Sequence, residues 1–407
     1  MGCAVMRKSY LGLTCTLIYV GFLGAIPVLL AAPLFAVVCY IGFLGYRLYL
    51  NSASGLTRRQ FFFQLMLVLT SVFSAIVVLK NGLDFERGVG LAFRTVSTIP
   101  FFFVAYYCSR VLGSYSVLAV VVAAGSIHAF NGLLSVVFGF APVIGGVIRP
   151  SGFLSPNITA NSVMVAALCA FGLFLGSRIR SREWFFTGAI FFLLVFFLVY
   201  SATIKNVLTI GVVGFWLYLV FFKRQRVARG AFALGAIFIF ALIVIFFTPT
   251  GARVLETFSG GTVSETTGKA TPSSFEWRVM HWTLLIADWW QNYRIFGSGI
   301  GQAVNMEGIR AGFDEEGPIA HNDYVALLVE FGPVLGAIVV GCWAAIFRQA
   351  LFSLKSLPVV RATCLGVLAA LYIAMFGGNV MFTAAYLYLL WFVIGASYGE
   401  YDRSFQF

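Results

Sequence analysis

Charged residues are what this sequence has least of: Asp, Glu, Lys and Arg make up 10% of 407 positions, against about 25% in soluble domains. No segment of domain size has the mixed polarity that a water-facing surface needs, which excludes a soluble globular protein. Cysteine is also sparse. Cys3, Cys15, Cys39, Cys108, Cys169, Cys342 and Cys364 lie in or beside apolar runs with no Cys-x-x-Cys spacing, so they read as small packing residues, with neither disulfides nor structural zinc expected. His-Glu-x-x-His, Gly-x-Ser-x-Gly and Walker sequences are absent, leaving no motif for the common zinc-hydrolase, serine-hydrolase or nucleotide-phosphate chemistries. No repeat of about 20 to 50 residues is visible.

What is present is apolar. Hydrophobic residues reach 60%, aromatics 17%, and the mean hydropathy is +0.94. A bilayer core takes roughly 20 apolar residues per helix and tolerates no irregular backbone facing lipid. The chain therefore reads as an all-α integral membrane protein of about twelve transmembrane helices, at 10–26, 29–48, 60–79, 90–109, 115–137, 158–176, 184–201, 204–222, 230–248, 321–347, 359–377 and 380–398. Pro27 and Pro33 are the only interruptions of the first long apolar run, and a turn is expected there. Helices one to nine (1–248), a large loop (249–320) and helices ten to twelve (321–407) form the three parts of the chain. Arg7 and Lys8 before the first run read as an uncleaved signal anchor. Met6 stands where a myristoylation signal needs Ser or Thr, so lipidation at Gly2 is not expected.

Orientation follows from the basic residues. With both termini cytoplasmic, seventeen of the 27 Lys and Arg fall on the cytoplasmic side, against Glu183, Glu400 and Asp402 among the 15 acids. The +12 net charge thus lies almost wholly on one face, the positive-inside pattern of a multi-pass membrane protein. That pattern explains the basic balance without nucleic acid, for which a water-exposed basic patch with stacking aromatics would be needed.

The loop 249–320 opens with a Ser/Thr/Gly-rich stretch and continues into Phe275-Glu276-Trp277-Arg278-Val279-Met280-His281-Trp282. Trp282, Leu285 and Trp289 fall on one helical stripe, predicting an amphipathic interfacial helix over 275–291. Outside the cytoplasmic belt, polar residues are few. Arg149 lies in the short stretch Arg149-Pro150-Ser151-Gly152-Phe153-Leu154-Ser155-Pro156-Asn157, where Asn157 suits a helix N-cap. Lys205 starts the eighth span, Arg278 sits in the interfacial helix, and His321 opens the tenth span in His321-Asn322-Asp323-Tyr324. All four fall at one membrane level, where convergence would make an anion pocket with one titratable imidazole. Glu330 lies roughly 13 Å deeper and is expected to pair within the bundle. Arg149 and Arg278 also suit snorkelling anchors, His281 an interfacial side chain, His128 and Asn131 a contact between helices, and Asp314-Glu315-Glu316 a solvated acidic run. Gly297-Ser298-Gly299-Ile300-Gly301 reads as a tight turn, since no strand precedes it.

The order of these features resembles the bacterial O-antigen ligase and O-antigen polymerase family: Arg149 followed by Pro156-Asn157, the large loop, Arg278 with Trp282 leading into the glycine-rich turn, then His321-Asn322-Asp323-Tyr324 with Glu330-Phe331-Gly332. The resemblance spans roughly 145–345. It departs from the family at Ile204-Lys205, where a Ser-Arg pair is usual; Lys keeps the charge and loses the bidentate fork. The resemblance implies metal-independent, cofactor-free transfer of a glycan from an undecaprenyl-diphosphate-linked donor, at the periplasmic face, to an acceptor hydroxyl on lipid A core or on a second lipid-linked glycan. Arg149, Lys205 and Arg278 would bind the diphosphate, and His321, with Arg278 and Arg149, would be catalytic as a base or as a phosphate donor. Asn157, Asn322, Asp323, Tyr324 and Glu330 would support them. Ligase and polymerase differ only in acceptor, and both stay open. A lipid-linked glycan transporter, or a non-catalytic partner of polysaccharide export, is the alternative from a different class.

Overall fold

The structure, a computed structural model, describes residues 3–51, 55–144, 147–177, 181–201, 203–221, 262–263, 270–271, 274–306, 320–353, 358–378, 380–381 and 383–404. Its helices are α1 (Cys3–Gly21), α2 (Val28–Leu50), α3 (Gly55–Lys80), α4 (Phe85–Val96), α5 (Ile99–Leu112), α6 (Ser114–Val137), α7 (Pro156–Gly176), α8 (Arg182–Tyr200), α9 (Ile204–Phe221), α10 (Ser274–Asn292), α11 (Asp323–Ser353), α12 (Pro358–Met375) and α13 (Ala384–Ser404). Among the described residues, extended pairing is confined to two hairpins of two residues per strand, Val143–Ile144 with Val147–Ile148 and Thr262–Val263 with Ala270–Thr271. The chain is a multi-pass, helical membrane protein, and among the described residues seven spans are long and apolar enough to cross a bilayer. A helix occupies each expected span except 230–248, which lies outside the described residues, as does most of the loop 249–320.

Three local outcomes differ from the sequence reading. Pro27 precedes α2, but Pro33 lies inside it, so only the first proline breaks the chain. The span expected at 90–109 is two helices joined at Ser97 and Thr98. Pro100, in the first turn of α5, has no N–H to continue α4 and disfavours helical backbone at the residue before it. Asp84 caps α4 by accepting from Arg87 N–H at 3.0 Å, and Phe85, Val89 and Phe93 project from its exposed face. Thirdly, Pro156 is the first residue of α7 after Ser155, so Asn157 is an exposed first-turn residue and not the cap.

The centre of the bundle is α13, buried from Ala385 to Gly399 against α5. Gly395 and Gly399, one turn apart, bring the two backbones together: a Cβ at Gly395 would collide with the Phe102 carbonyl and one at Gly399 with that of Tyr106. Small residues at such spacing let transmembrane helices approach closely enough for dispersion to hold them. At the end where α5 and α13 terminate, Tyr106 donates to Asp402 Oδ2 at 2.5 Å, Arg110 donates to Tyr106 at 3.4 Å, and Glu400 accepts from Ser114 N–H at 2.7 Å. The residues expected to carry function collect at the opposite end.

Candidate functional site

His321 is placed by anchors on both sides. Trp282 of α10 donates its Nε1–H to the Ala320 carbonyl at 2.6 Å, and Asn322 caps α11 by accepting from Tyr324 and Val325 N–H at 2.9 and 3.3 Å. The helix therefore begins at Asp323, and His321 stands before it rather than opening it. Between the anchors His321 has φ 51, the one non-glycine residue with positive φ among those described. Such a conformation costs on the order of 1 kcal/mol or more and persists where the surroundings impose it. It aims the imidazole at Trp277, whose ring lies edge-on at 6.3 Å. Trp277 in turn stacks on His281 at 5.1 Å, and His281 is fully buried.

The cations gather around this imidazole. Arg278, Lys205 and His281 are the charge neighbours of His321. Those of Lys205 are Asp323, Arg278 and Arg149. Arg149, Lys205, Arg278 and His321, drawn from four separate stretches of sequence, thus share one neighbourhood. Burial, then the charges of Arg278, Lys205 and His281, hold the His321 pKa below its ordinary 6.5. The imidazole is accordingly neutral near pH 7, able to accept a proton through one nitrogen while donating through the other.

Each cation reaches the pocket by a local device. Arg149 follows the hairpin, its N–H bonded to the Pro142 carbonyl at 2.9 Å. Lys205 is the second residue of α9, whose start is fixed by Asn206 donating to Asn161 Oδ1 of α7 at 3.2 Å, both residues buried. Among the described residues the Lys205 ammonium makes no hydrogen bond or ion pair, which leaves its N–H groups to an incoming anion. Arg278 comes from α10, whose stripe of Trp282, Leu285 and Trp289 meets Ala320, Ala326 and Val329. That stripe, expected to face the interface, packs on the start of α11. Among the described residues, the large apolar side chains left exposed on α10 are Val279, Met280, Leu284, Ile286 and Trp290.

The remaining polar residues support the pocket from behind. Asp323 is buried and accepts from Val380 and Met381 N–H at 2.7 and 3.0 Å. Tyr324 donates to the Tyr372 carbonyl at 2.9 Å, tying α11 to α12. Glu330 is buried and accepts from Gly301 and Ala303 N–H at 2.9 and 3.2 Å, at the end of the glycine-rich turn, with the Arg87 charge of α4 acting on it as well. In that turn Gly297, Gly299 and Gly301 all have positive φ. It is held on its other side by Asn81 and by Gln302, which exchanges bonds with the Asp84 backbone. His128 is buried in α6 against the Val20 carbonyl of α1. Asp314-Glu315-Glu316 lies outside the described residues. No group of three or more His, Cys, Asp or Glu suited to a metal occurs among the described residues.

Sequence reasoning did not place His281, Trp277, Gly378, Val380 or Met381 in this neighbourhood. A faint signal existed for His281, which follows Trp277 and Arg278 by one helical turn; the packing of Gly378, Val380 and Met381 depends on tertiary contacts alone.

Comparison with known proteins bears on the same region. No curated protein matches the chain. A family model described as O-antigen ligase (Wzy_C) matches residues 189–341. The matched stretch holds Lys205, Arg278, His321 and Glu330 and leaves Arg149 outside. Residues 189–341 of this chain are thus similar to the model of the O-antigen ligase family.

Proposed function

We propose that this protein transfers a glycan from a lipid diphosphate, of the undecaprenyl type, to an acceptor hydroxyl at the outer face of a bacterial inner membrane, with both of its own termini in the cytoplasm. The observation that carries the reading is the placement of Lys205 and Arg278 beside a neutral His321, with Arg149 next to Lys205, at one end of the bundle. The acceptor oxygen attacks the anomeric carbon as the bond from that carbon to the diphosphate oxygen breaks, and the hydroxyl proton passes to a nitrogen of His321. The departing lipid diphosphate gains charge in the transition state, so cations fixed beside it stabilise that state more than the ground state. His321 as a donor to the diphosphate is the second role open to it.

Each charge-assisted hydrogen bond to the leaving group is worth about 1.5–3 kcal/mol. Losing one arginine should therefore slow transfer about tenfold to a hundredfold. Arg278→Lys, which keeps charge without the fork, is expected between wild type and Arg278→Ala. His321→Ala should abolish turnover. The measurement is transfer from purified undecaprenyl-diphosphate glycan to acceptor in nanodiscs, with monodispersity checked for each variant. Near-normal turnover in folded Arg149→Ala, Arg278→Ala and His321→Ala proteins would falsify the reading and favour a carrier of lipid-linked glycan. Two acceptors, lipid A core and a second lipid-linked glycan, supplied side by side, distinguish ligase from polymerase.

A further inference from the structure

Lys205 lies against two consecutive glycines, Gly377 and Gly378. A Cβ added to Gly378 would collide with the Lys205 Nζ, and one added to Gly377 would lie 3.3 Å from its Cδ. The lysine therefore runs, from Cβ to Nζ, along the backbone of Gly377 and Gly378 in the turn that follows α12. Gly378 is not among the described glycines with positive φ, so backbone conformation does not require glycine there. A side chain there would instead displace the ammonium. The same turn is held to the start of α11 by one carboxylate oxygen, Asp323 Oδ2, which takes both the Val380 and the Met381 N–H. The other, Asp323 Oδ1, has no hydrogen-bond partner, and among the described residues Asp323 and Lys205 are charge neighbours without forming an ion pair.

From this geometry we infer that Gly378 and Asp323 are positioning residues for the Lys205 ammonium: Asp323, two residues from His321, holds Val380 and Met381 in place, and the bare backbone of Gly377 and Gly378 sets where the ammonium stands. The inference rests on the reading of Lys205 as a ligand of the diphosphate, and it deepens that reading. Lysine is a flexible point charge with three rotatable donors, so unlike an arginine locked by a planar fork it needs an external seat to keep its charge in one place. The seat also accounts for a lysine at this position, because an ammonium fits into the space over Gly378 that a broader guanidinium would have to leave.

The test separates position from stability by a double-mutant cycle in the intact protein in nanodiscs. Gly378→Ala is expected to lower kcat/KM for transfer about tenfold with Lys205 present and less than about twofold in a Lys205→Ala background, because a displaced ammonium can be lost only once. Asp323→Asn keeps an oxygen for the two N–H groups and is expected to retain more activity than Asp323→Ala. Pulse acylation of amines, read by mass spectrometry without any substrate, gives a second measurement independent of transfer. Lys205 should react at least about threefold faster in Gly378→Ala and Asp323→Ala than in wild type, with Lys80 of the same molecule unchanged as the reference. If the Gly378→Ala loss is equal in both backgrounds and the Lys205 reactivity is unaltered, the positioning role is overturned. If reactivity changes as expected but Lys205→Ala transfers normally, the seat stands and the diphosphate role of Lys205 falls.

Discussion

The imidazole of His321 joins the two properties that a base in a cationic pocket needs, a fixed direction and a depressed basicity. Its direction comes from the strained φ of 51 between the Trp282 and Asn322 anchors. Its basicity falls because the protonated form would be buried and would meet Arg278, Lys205 and His281. The sign of the resulting pH dependence follows directly. A base must be neutral to work, so activity is lost as pH falls through the His321 pKa, and that pKa lies below 6.5. The acid limb of kcat/KM is therefore expected below pH 6.5, shifting upward in Arg278→Ala, where a repelling charge has gone, and staying in place in Arg278→Lys. A full pH–rate profile of the residual activity checks this, and an acid limb that ignores the charge at 278 would leave His321 as a phosphate donor. At this scale the sequence showed which residue types were scarce and polar, and so singled out Arg149, Lys205, Arg278 and His321. It could not show His281 or Gly378, because a buried imidazole and a bare backbone seat are defined by neighbours far away in the chain.

Among the elements, apolar runs predicted helices well and their internal breaks less well. Hydropathy is nearly blind to the difference between one span at 90–109 and the pair α4 and α5, because both are apolar; the break is signalled only by Pro100 and by the polar Ser97-Thr98 before it. The stripe on α10 was legible as a helix, but whether its partner was lipid or protein was not, since both are apolar solvents for Trp and Leu. Close approach of α13 to α5 has a sharper signature, two glycines four residues apart. Gly395→Ala would force a methyl against the Phe102 carbonyl in a fully packed centre. Overpacking of this kind typically costs about 1–3 kcal/mol. Thermal unfolding in detergent should show a clear drop for Gly395→Ala, whereas Gly341→Ala, which meets nothing within 4 Å, should match wild type. Equal behaviour of the two variants would mean that α5 and α13 are not apposed through Gly395.

For the whole molecule, the two ends of the bundle are chemically different, and that difference predicts how it sits in the membrane. One end holds the pocket; the other holds Arg110, Arg361 and Arg403 with Glu400 and Asp402, where Arg361 donates to the Ala350 and Leu351 carbonyls at the end of α11. The sequence argument from basic residues places that second end in the cytoplasm. The structure supplies positions suited to a test, because Ser155, beside the start of α7, lies at the pocket end, and Asn51, following α2, at the other. Gly24 fixes the relation: it precedes α2 and packs against the Phe153 carbonyl, which a Cβ on it would meet at 2.5 Å, so α2 runs away from the pocket end towards Asn51. In a background with the native cysteines replaced, Ser155→Cys is expected to react with a membrane-impermeant thiol reagent in intact cells with a permeabilised outer membrane. Asn51→Cys should react only after the inner membrane is broken. Lipid-linked donors and their acceptors meet His321 from the outside only if this orientation holds, so labelling of Asn51→Cys with protection of Ser155→Cys would turn the pocket towards the cytoplasm and remove the proposed reaction with it.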